Sequence, residues 1–163
     1  MKKFELTAES KINIFGKKLF RIKALISFGD VEEGETGGWI EKEENLEQSS
    51  GNAWVYGNAE VYGNARVYGN AEVYGNARVS GNAEVSGNAD YTTIHGFGTQ
   101  FRTTTFFQCE DKQIRVSCGC FLGTIPEFRE QVKNTREGKI AEEYLMIADL
   151  MEKHFVKEKE SGE

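Results

Sequence analysis

The sequence predicts a mainly β fold built as a β-solenoid, and two observations support this. Residues 51–92 contain seven copies of a six-residue phrase without a gap: GNAWVY, GNAEVY, GNARVY, GNAEVY, GNARVS, GNAEVS and GNADYT. A short, fixed period of this kind is typical of repeat architectures, in which each unit packs on its neighbours. Small apolar residues alternate with polar or aromatic ones within each phrase, as in a strand with one buried face. The expected inward set is Ala53, Ala59, Ala65, Ala71, Ala77, Ala83 and Ala89, with Val55, Val61, Val67, Val73, Val79, Val85 and Tyr91.

The outward charges favour a coil of three hexads, which is eighteen residues. If residues i and i+18 stack about 4.8 Å apart, Glu60 lies on Arg78 and Arg66 lies on Glu84. Stacking at twelve residues would instead place Glu60 on Glu72, like on like. Exposed pairs contribute only about 0.2–1 kcal/mol each. We therefore expect these charges to set the strand register more than the stability.

The pattern V-x-G-N-A-x resembles the hexapeptide signature of left-handed parallel β-helices, whose coils are three-sided. Glycine and asparagine suit the corners, because both tolerate positive φ. The segment FGDVEEGETGGWIEKEENLEQ resembles the opening of hexapeptide-repeat proteins from bacteriophages and from a bacterial group called putative transferases. The resemblance implies a left-handed parallel β-helix with a C-terminal β-hairpin and helices. It says little about chemistry, because one fold hosts many functions.

We predict three parts along the chain. Residues 1–50 form an N-terminal cap, with one strand-like run at 18–26, and an irregular first coil. Residues 51–92 form the regular repeat, and residues 93–163 form a C-terminal module. The expected buried positions of the first coil and its junction with the repeat are Val31, Ile40, Leu46 and Val55.

The C-terminal module is predicted to contain a β-hairpin followed by two helices. TTIHGFGTQFRTTTFFQ and QIRVSCGCF are rich in strand formers, and a turn separates them. Thr124 and Glu127 have the spacing of a capping box at the start of a short helix. An apolar stripe predicts a second helix over 139–156, and we expect 157–163 to be frayed. This module and the N-terminal cap should cover the two open ends of the solenoid, because unpaired strand edges promote association.

Composition narrows the function classes. The net charge is −6, from 20 basic and 26 acidic residues. A negative net charge disfavours binding to nucleic acid, which is itself negatively charged. No stretch reaches membrane-spanning length and the N-terminus has no signal-peptide core, so we predict a cytoplasmic protein of a bacterial host. Three cysteines, Cys109, Cys118 and Cys120, are expected to be reduced thiols. A zinc site would need a fourth ligand besides the three cysteines, and His95 is the sole candidate for it. We therefore predict no metal and no cofactor.

An acyltransferase is the enzymatic alternative. Many hexapeptide-repeat enzymes use acyl-CoA and a histidine at a coil edge, and histidine suits a general base near neutral pH. The repeat has no histidine, lysine or inserted loop, which leaves His95 just after the last hexad. Its alternative role is to cap the end of the solenoid. We therefore predict that the chain is not an enzyme, with no catalytic residue unless His95 is one.

A small-molecule site, if present, is predicted after the repeat. GFGTQFRTTTFF combines glycines, hydroxyls, an arginine and aromatic rings, which could meet a phosphorylated ligand. The alternative is a hairpin whose aromatic rings are core and whose threonines reflect strand propensity. The predicted ligand-binding residues are Arg102, Thr103, Thr104, Phe106, Arg115 and Cys118.

We predict a homo-oligomer, a dimer or trimer. Two and a third coils bury little surface, and the apolar stripe of the last helix needs cover. Tyrosines near the corners are either interface residues or simple corner packing. The candidate interface residues are Tyr56, Tyr62, Tyr68, Tyr74, Ile140, Tyr144, Ile147 and Met151.

Together these observations predict a non-enzymatic binding or assembly module. The resemblance suggests an accessory protein of a phage or prophage that binds a host protein or a small phosphorylated signal. An anti-defence role fits within that class.

Overall fold

The computed structural model describes residues 1–156, so the predicted fraying of 157–163 lies outside the described residues. It contains thirteen strands, two α-helices and two single turns of 3₁₀ helix. The first three strands are β1 (Phe4–Ile12), β2 (Lys18–Ala24) and β3 (Thr36–Ile40). The repeat forms β4 (Trp54–Val55), β5 (Glu60–Val61), β6 (Arg66–Val67), β7 (Glu72–Val73), β8 (Arg78–Val79) and β9 (Glu84–Val85). The C-terminal elements are β10 (Tyr91–Phe97), β11 (Arg102–Gln108), β12 (Ile114–Cys118), β13 (Phe121–Thr124), α1 (Ile125–Thr135) and α2 (Gly138–Phe155).

The predicted 18-residue register of the repeat is confirmed. Strand β4 pairs parallel with β7, β5 with β8 and β6 with β9, so that each residue pairs with the one eighteen positions on. The corner glycines from Gly57 to Gly81 all have positive φ, between +56° and +70°, where a Cβ would be strained. The inward alanines and valines up to Val85 are at most 1% exposed. Small side chains at these positions allow the three sets of strands to approach closely.

The predicted fold class, a mainly β left-handed parallel β-helix, is wrong. The chain is a mixed α/β protein with a five-stranded mixed sheet (order β1-β2-β3-β5-β8), a four-stranded antiparallel sheet and two two-stranded sheets. Two α-helices complete it. The repeat covers only residues 51–92, and its strands are two residues long. Short turns join the longer strands on either side of it, and strands joined in this way pair antiparallel.

The N-terminal segment forms an antiparallel hairpin, β1–β2, followed by β3. Sequence analysis predicted only one strand here, because β1 buries just Phe4 and shows little apolar pattern. Strand β3 then pairs parallel with β5, with Ile40 opposite Val61. Leu46 bridges Val67 in the same direction. This pairing spans twenty-one residues instead of eighteen, so the entry to the repeat has a different register from the repeat itself.

Strand β11 lies across the far end of the repeat. The amide of Arg78 donates to Thr105 Oγ1 at 3.0 Å, and Ala83 forms an antiparallel bridge with Cys109. The seventh hexad leaves the pattern: it turns as 3₁₀ helix (Asn88–Asp90), and Ala89 is exposed, against expectation. There is no further turn of the repeat for Ala89 to pack on. The end of the repeat is thus closed by side chains and by one crossing strand.

The predicted C-terminal hairpin is a four-stranded antiparallel sheet in the order β10-β11-β12-β13. Helices α1 and α2 pack on one side of it and form a second core around Phe106, Phe128 and Tyr144. The capping box is confirmed, since Thr124 Oγ1 accepts from the Glu127 amide and the Glu127 carboxylate accepts from the Thr124 amide. Phe107, on the opposite side of β11, packs into the core of the repeat. One strand therefore belongs to both cores.

Candidate functional site

The predicted ligand-binding residues do not form one site. Side chains alternate along β11, so Thr104 and Phe106 face the helices, whereas Thr105 and Phe107 face the repeat. Thr104 is buried, and its hydroxyl donates to Cys118 Sγ at 3.2 Å. Phe106 is fully buried in the helix-facing core. The prediction grouped residues by closeness in sequence, but strand geometry sends neighbours to opposite faces.

Arg115 lies apart from the others. Its Nη2 donates to Asp111 Oδ2 at 2.7 Å, and this bond raises the pKa of Arg115. The hydrogen bond from the Gln113 backbone amide, and after it the one from Arg115, lowers the pKa of Asp111. It borders a separate groove of about 340 Å³ together with Cys109 and Glu127. Burial raises the pKa of the Cys109 thiol to about 11. Arg115 Nη1 is buried and has no hydrogen-bond partner among residues 1–156, and the groove that Arg115 borders is separate from the one beside Arg102.

Arg102 and Thr103 instead border a groove of about 460 Å³ between three parts of the chain. Residues 11–14, at the end of β1 and the start of the hairpin turn, form one wall. The outward side chains of β5 and β8 and the corner residues Asn58 and Asn76 form the floor. The ends of β10 and β11 form the other wall. We name this the hairpin–sheet groove.

Among residues 1–156, Glu60 is the one carboxylate that lines the hairpin–sheet groove, and it is already paired. Glu60 Oε2 accepts from Lys11 Nζ at 2.9 Å, and Glu60 Oε1 accepts from Asn13 Nδ2 at 3.2 Å. The Lys11 ammonium also lies 4.6 Å from the centre of the Trp39 ring. Although Glu60 and Arg78 are register partners as predicted, they form no ion pair among residues 1–156. Lys11 of the hairpin is therefore the ion-pair partner of Glu60, where the sequence predicts Arg78.

Two arginines of the groove have no carboxylate partner. Within residues 1–156, neither Arg78 nor Arg102 takes part in an ion pair. Arg78 Nη1 donates to the Gly119 carbonyl at 3.2 Å, and its guanidinium lies 6.0 Å from the Phe15 ring centre. With Lys11 the groove has three basic side chains against the paired carboxylate of Glu60. The local charge is therefore positive in a chain whose net charge is negative.

His95 also borders the groove. Its Nδ1 lies 2.9 Å from Thr103 Oγ1, and the two residues are cross-strand partners on β10 and β11. The imidazole is exposed, and engaging Nδ1 with the hydroxyl leaves Nε2 available to a bound molecule. A histidine in this position can donate a hydrogen bond or accept a proton.

Cys118 packs at the helix-facing core, whereas Cys109 belongs to the core of the repeat. Cys118 is half-buried beside Thr104, Cys120 is exposed, and Cys109 is buried near the end of the repeat. No group of three or more His, Cys, Asp or Glu side chains in the described part of the chain is arranged to hold a metal ion.

Most of the predicted interface residues are covered within the chain. Tyr62 is buried under the hairpin, in a cluster with Leu19 and Trp39, and Tyr56 donates to Glu72. Burial and the Glu72 carboxylate raise the pKa of Tyr56 to about 12. Tyr144, Ile147 and Met151 are buried against the sheet, and Ile140 packs at the edge of the same core. Among the candidates Tyr74 is exposed, at 60%, and Tyr56, Tyr68 and Ile140 are partly exposed.

The sequence carries no signal for Lys11 as a groove residue and indicates the wrong partner, Glu60, for Arg78. Lys11 reaches the groove through the fold of a polar hairpin and binds Glu60, and the Arg78 side chain donates to the Gly119 carbonyl instead.

No protein-family model matches this chain, and no curated protein matches it. The resemblance to hexapeptide-repeat proteins stays a prediction from the sequence. Among residues 1–156, no helix is both long and apolar enough to cross a lipid bilayer.

Proposed function

We propose that this chain is a non-enzymatic binding module that holds a small, negatively charged molecule in the hairpin–sheet groove. The observation that carries the proposal is the pair of arginines, Arg78 and Arg102, that border one groove without a carboxylate partner among residues 1–156. Arg102 also borders a smaller pocket on the helix-facing side of the sheet, beside Tyr144, and together with Arg78 it places two arginines at the border of one groove, which suits an anion.

Each wall of the groove would contribute differently. Arg78 on the floor and Arg102 with Thr103 on the sheet wall supply hydrogen-bond donors to an anion. The hairpin wall presents Ile12 and Ile14, which are 64% and 68% exposed. An apolar part of the ligand, such as a ring, would pack there. The groove therefore favours a molecule with a charged end and an apolar body.

The experiment is mass spectrometry of small molecules that co-purify with the protein, followed by calorimetric titration of the molecule found. Arg102→Ala removes one charged donor and should weaken binding about tenfold or more. The matched control is Arg129→Ala, because Arg129 lies on α1 and is already paired with Asp149 and Glu152 at 2.9 and 2.8 Å. Equal affinity of the two variants would contradict the proposal.

The acyltransferase alternative is favoured by one observation, the position of His95 in the same groove. A general base must reach the acceptor hydroxyl, and His95 is exposed beside the groove. We expect no release of CoA from acetyl-CoA with any acceptor tested. Release that is lost in His95→Ala would establish the enzymatic function instead.

The biological setting rests on the resemblance alone. A phage or prophage accessory role, an anti-defence activity, a host-protein partner and a cytoplasmic location are proposals of the same origin. Capture of a nucleotide signal would fit both the groove and this setting. We also propose that the chain forms a homo-oligomer, which light scattering can test.

A further inference from the structure

We propose that the group recognised in the hairpin–sheet groove is a phosphate, and that the turn at Gly119 positions the two arginines that bind it. This inference rests on the proposed function, because it concerns the same groove. It adds the chemical class of the ligand and a residue with a positioning role.

Gly119 lies in the tight turn between β12 and β13, with φ of +60°. A Cβ built on this residue would overlap Arg102 Nη1, so the guanidinium of Arg102 lies directly against the Gly119 backbone. Only glycine leaves room for this contact, and it also accepts the positive φ without strain. The turn thereby sets where the Arg102 guanidinium can lie.

The same residue holds the second arginine. The Gly119 carbonyl accepts from Arg78 Nη1 at 3.2 Å, while the backbone amide of Arg78 donates to Thr105. Arg78 is thus held at both its backbone and its side-chain end by the C-terminal sheet. Arginine loses much rotamer freedom on binding a ligand, and a guanidinium that is already held loses less. Gly119 therefore contacts the side chains of both Arg78 and Arg102.

The donors suit phosphate better than carboxylate. A carboxylate is satisfied by one guanidinium in a bidentate pair, whereas a phosphate carries more charge and more acceptor oxygens. Here two guanidiniums are joined by the Thr103 hydroxyl and the His95 imidazole on the same wall. Lys11 adds a third cation, although Glu60 already binds it. A phosphate monoester or diphosphate can use this whole set, and a carboxylate cannot.

The test is an NMR titration of the full chain with inorganic phosphate and, separately, with acetate at matched ionic strength. We expect saturable shifts of groove amides with phosphate, and affinity for acetate weaker by about tenfold or more. Gly119→Ala and Gly119→Asn should each weaken phosphate binding about tenfold or more, because the new Cβ displaces Arg102. Asparagine tolerates positive φ better than alanine, so it separates the overlap from backbone strain.

Gly81→Ala and Gly81→Asn are the matched controls. Gly81 has φ of +63°, and a Cβ there meets nothing within 4 Å. These variants carry the same backbone strain and should bind phosphate like the unaltered chain. A second measurement needs no variant: a nuclear Overhauser contact between the Arg102 side chain and the Gly119 α-protons should exist before phosphate is added.

The outcomes separate the two proposals. Loss of binding in Arg102→Ala with no loss in the Gly119 variants, or absence of the Overhauser contact, refutes the positioning role and leaves the proposed function intact. Equal affinity for phosphate and acetate refutes the phosphate assignment alone. No saturable shift with either anion counts against both.

Discussion

Closure of the repeat by Thr105 can be tested with a single near-isosteric substitution, Thr105→Val. Thr105 is 1% exposed, and its Oγ1 accepts the backbone amide of Arg78 at the free edge of β8. Valine keeps the volume and the strand propensity but removes the acceptor. The Arg78 amide is then left without its partner at the junction of the repeat and the C-terminal sheet.

The expected cost follows from that single lost bond. A buried donor without a partner costs about 1–3 kcal/mol, and the partial burial of this amide places the value near 1–2 kcal/mol. With a urea m-value of about 2 kcal/mol/M, the unfolding midpoint should fall by roughly 0.5–1 M. The m-value itself should not change, because the surface exposed on unfolding is the same.

Equilibrium urea unfolding, followed by both fluorescence and circular dichroism, measures this shift. The control is Thr93→Val, because Thr93 pairs directly with Thr105 across β10 and β11 but is exposed. Surface substitutions of this kind usually stay within about 0.5 kcal/mol. If Thr105→Val unfolds at the same urea concentration as Thr93→Val, β11 does not close the repeat through this hydrogen bond.

Three further predictions concern other parts of the chain. Asn45→Ala removes a fully buried amide that makes four hydrogen bonds to backbone groups, so the melting temperature should fall by about 6–12 °C, and a fall under about 2 °C would contradict this. Iodoacetamide at about pH 8 should label exposed Cys120 long before Cys109, whose raised pKa keeps it protonated, and mass spectrometry showing the reverse order would be inconsistent with the structure. Light scattering of the unaltered chain should give a dimer or trimer, and a monomer would disprove the oligomer. If α2 forms the contact between copies, Leu150→Asp at an exposed position should dissociate them without unfolding, whereas Ile147→Asp should unfold the C-terminal module.

The expectations that held are those set by local or periodic chemistry. The eighteen-residue register, the buried alanines and valines, the capping box at Thr124 and the last helix each depend on residues close in sequence or on exact repetition. The expectations that failed involve partners supplied from far along the chain. Alternation within the first hexad puts Trp54 on the outward face, opposite to Ala53, yet Trp54 is fully buried because Phe4 and Phe28 pack on it. No repeat pattern contains that information.

The sequence by itself determined how the repeat pairs, because a register of eighteen residues sets opposite charges side by side where a register of twelve sets like charges together, and it keeps the small side chains buried. Tertiary structure alone decided the fold class and the groove. The β1–β2 hairpin brings Lys11 to Glu60, so Glu60 does not form an ion pair with Arg78. The alternation of side chains along β11 places Thr103 and Thr104 on opposite faces of the sheet. Which charge pairs with which depends on distances between segments that lie more than forty residues apart. Those distances are set by how the hairpin and the sheet dock on the repeat, and a single strand pattern does not encode them.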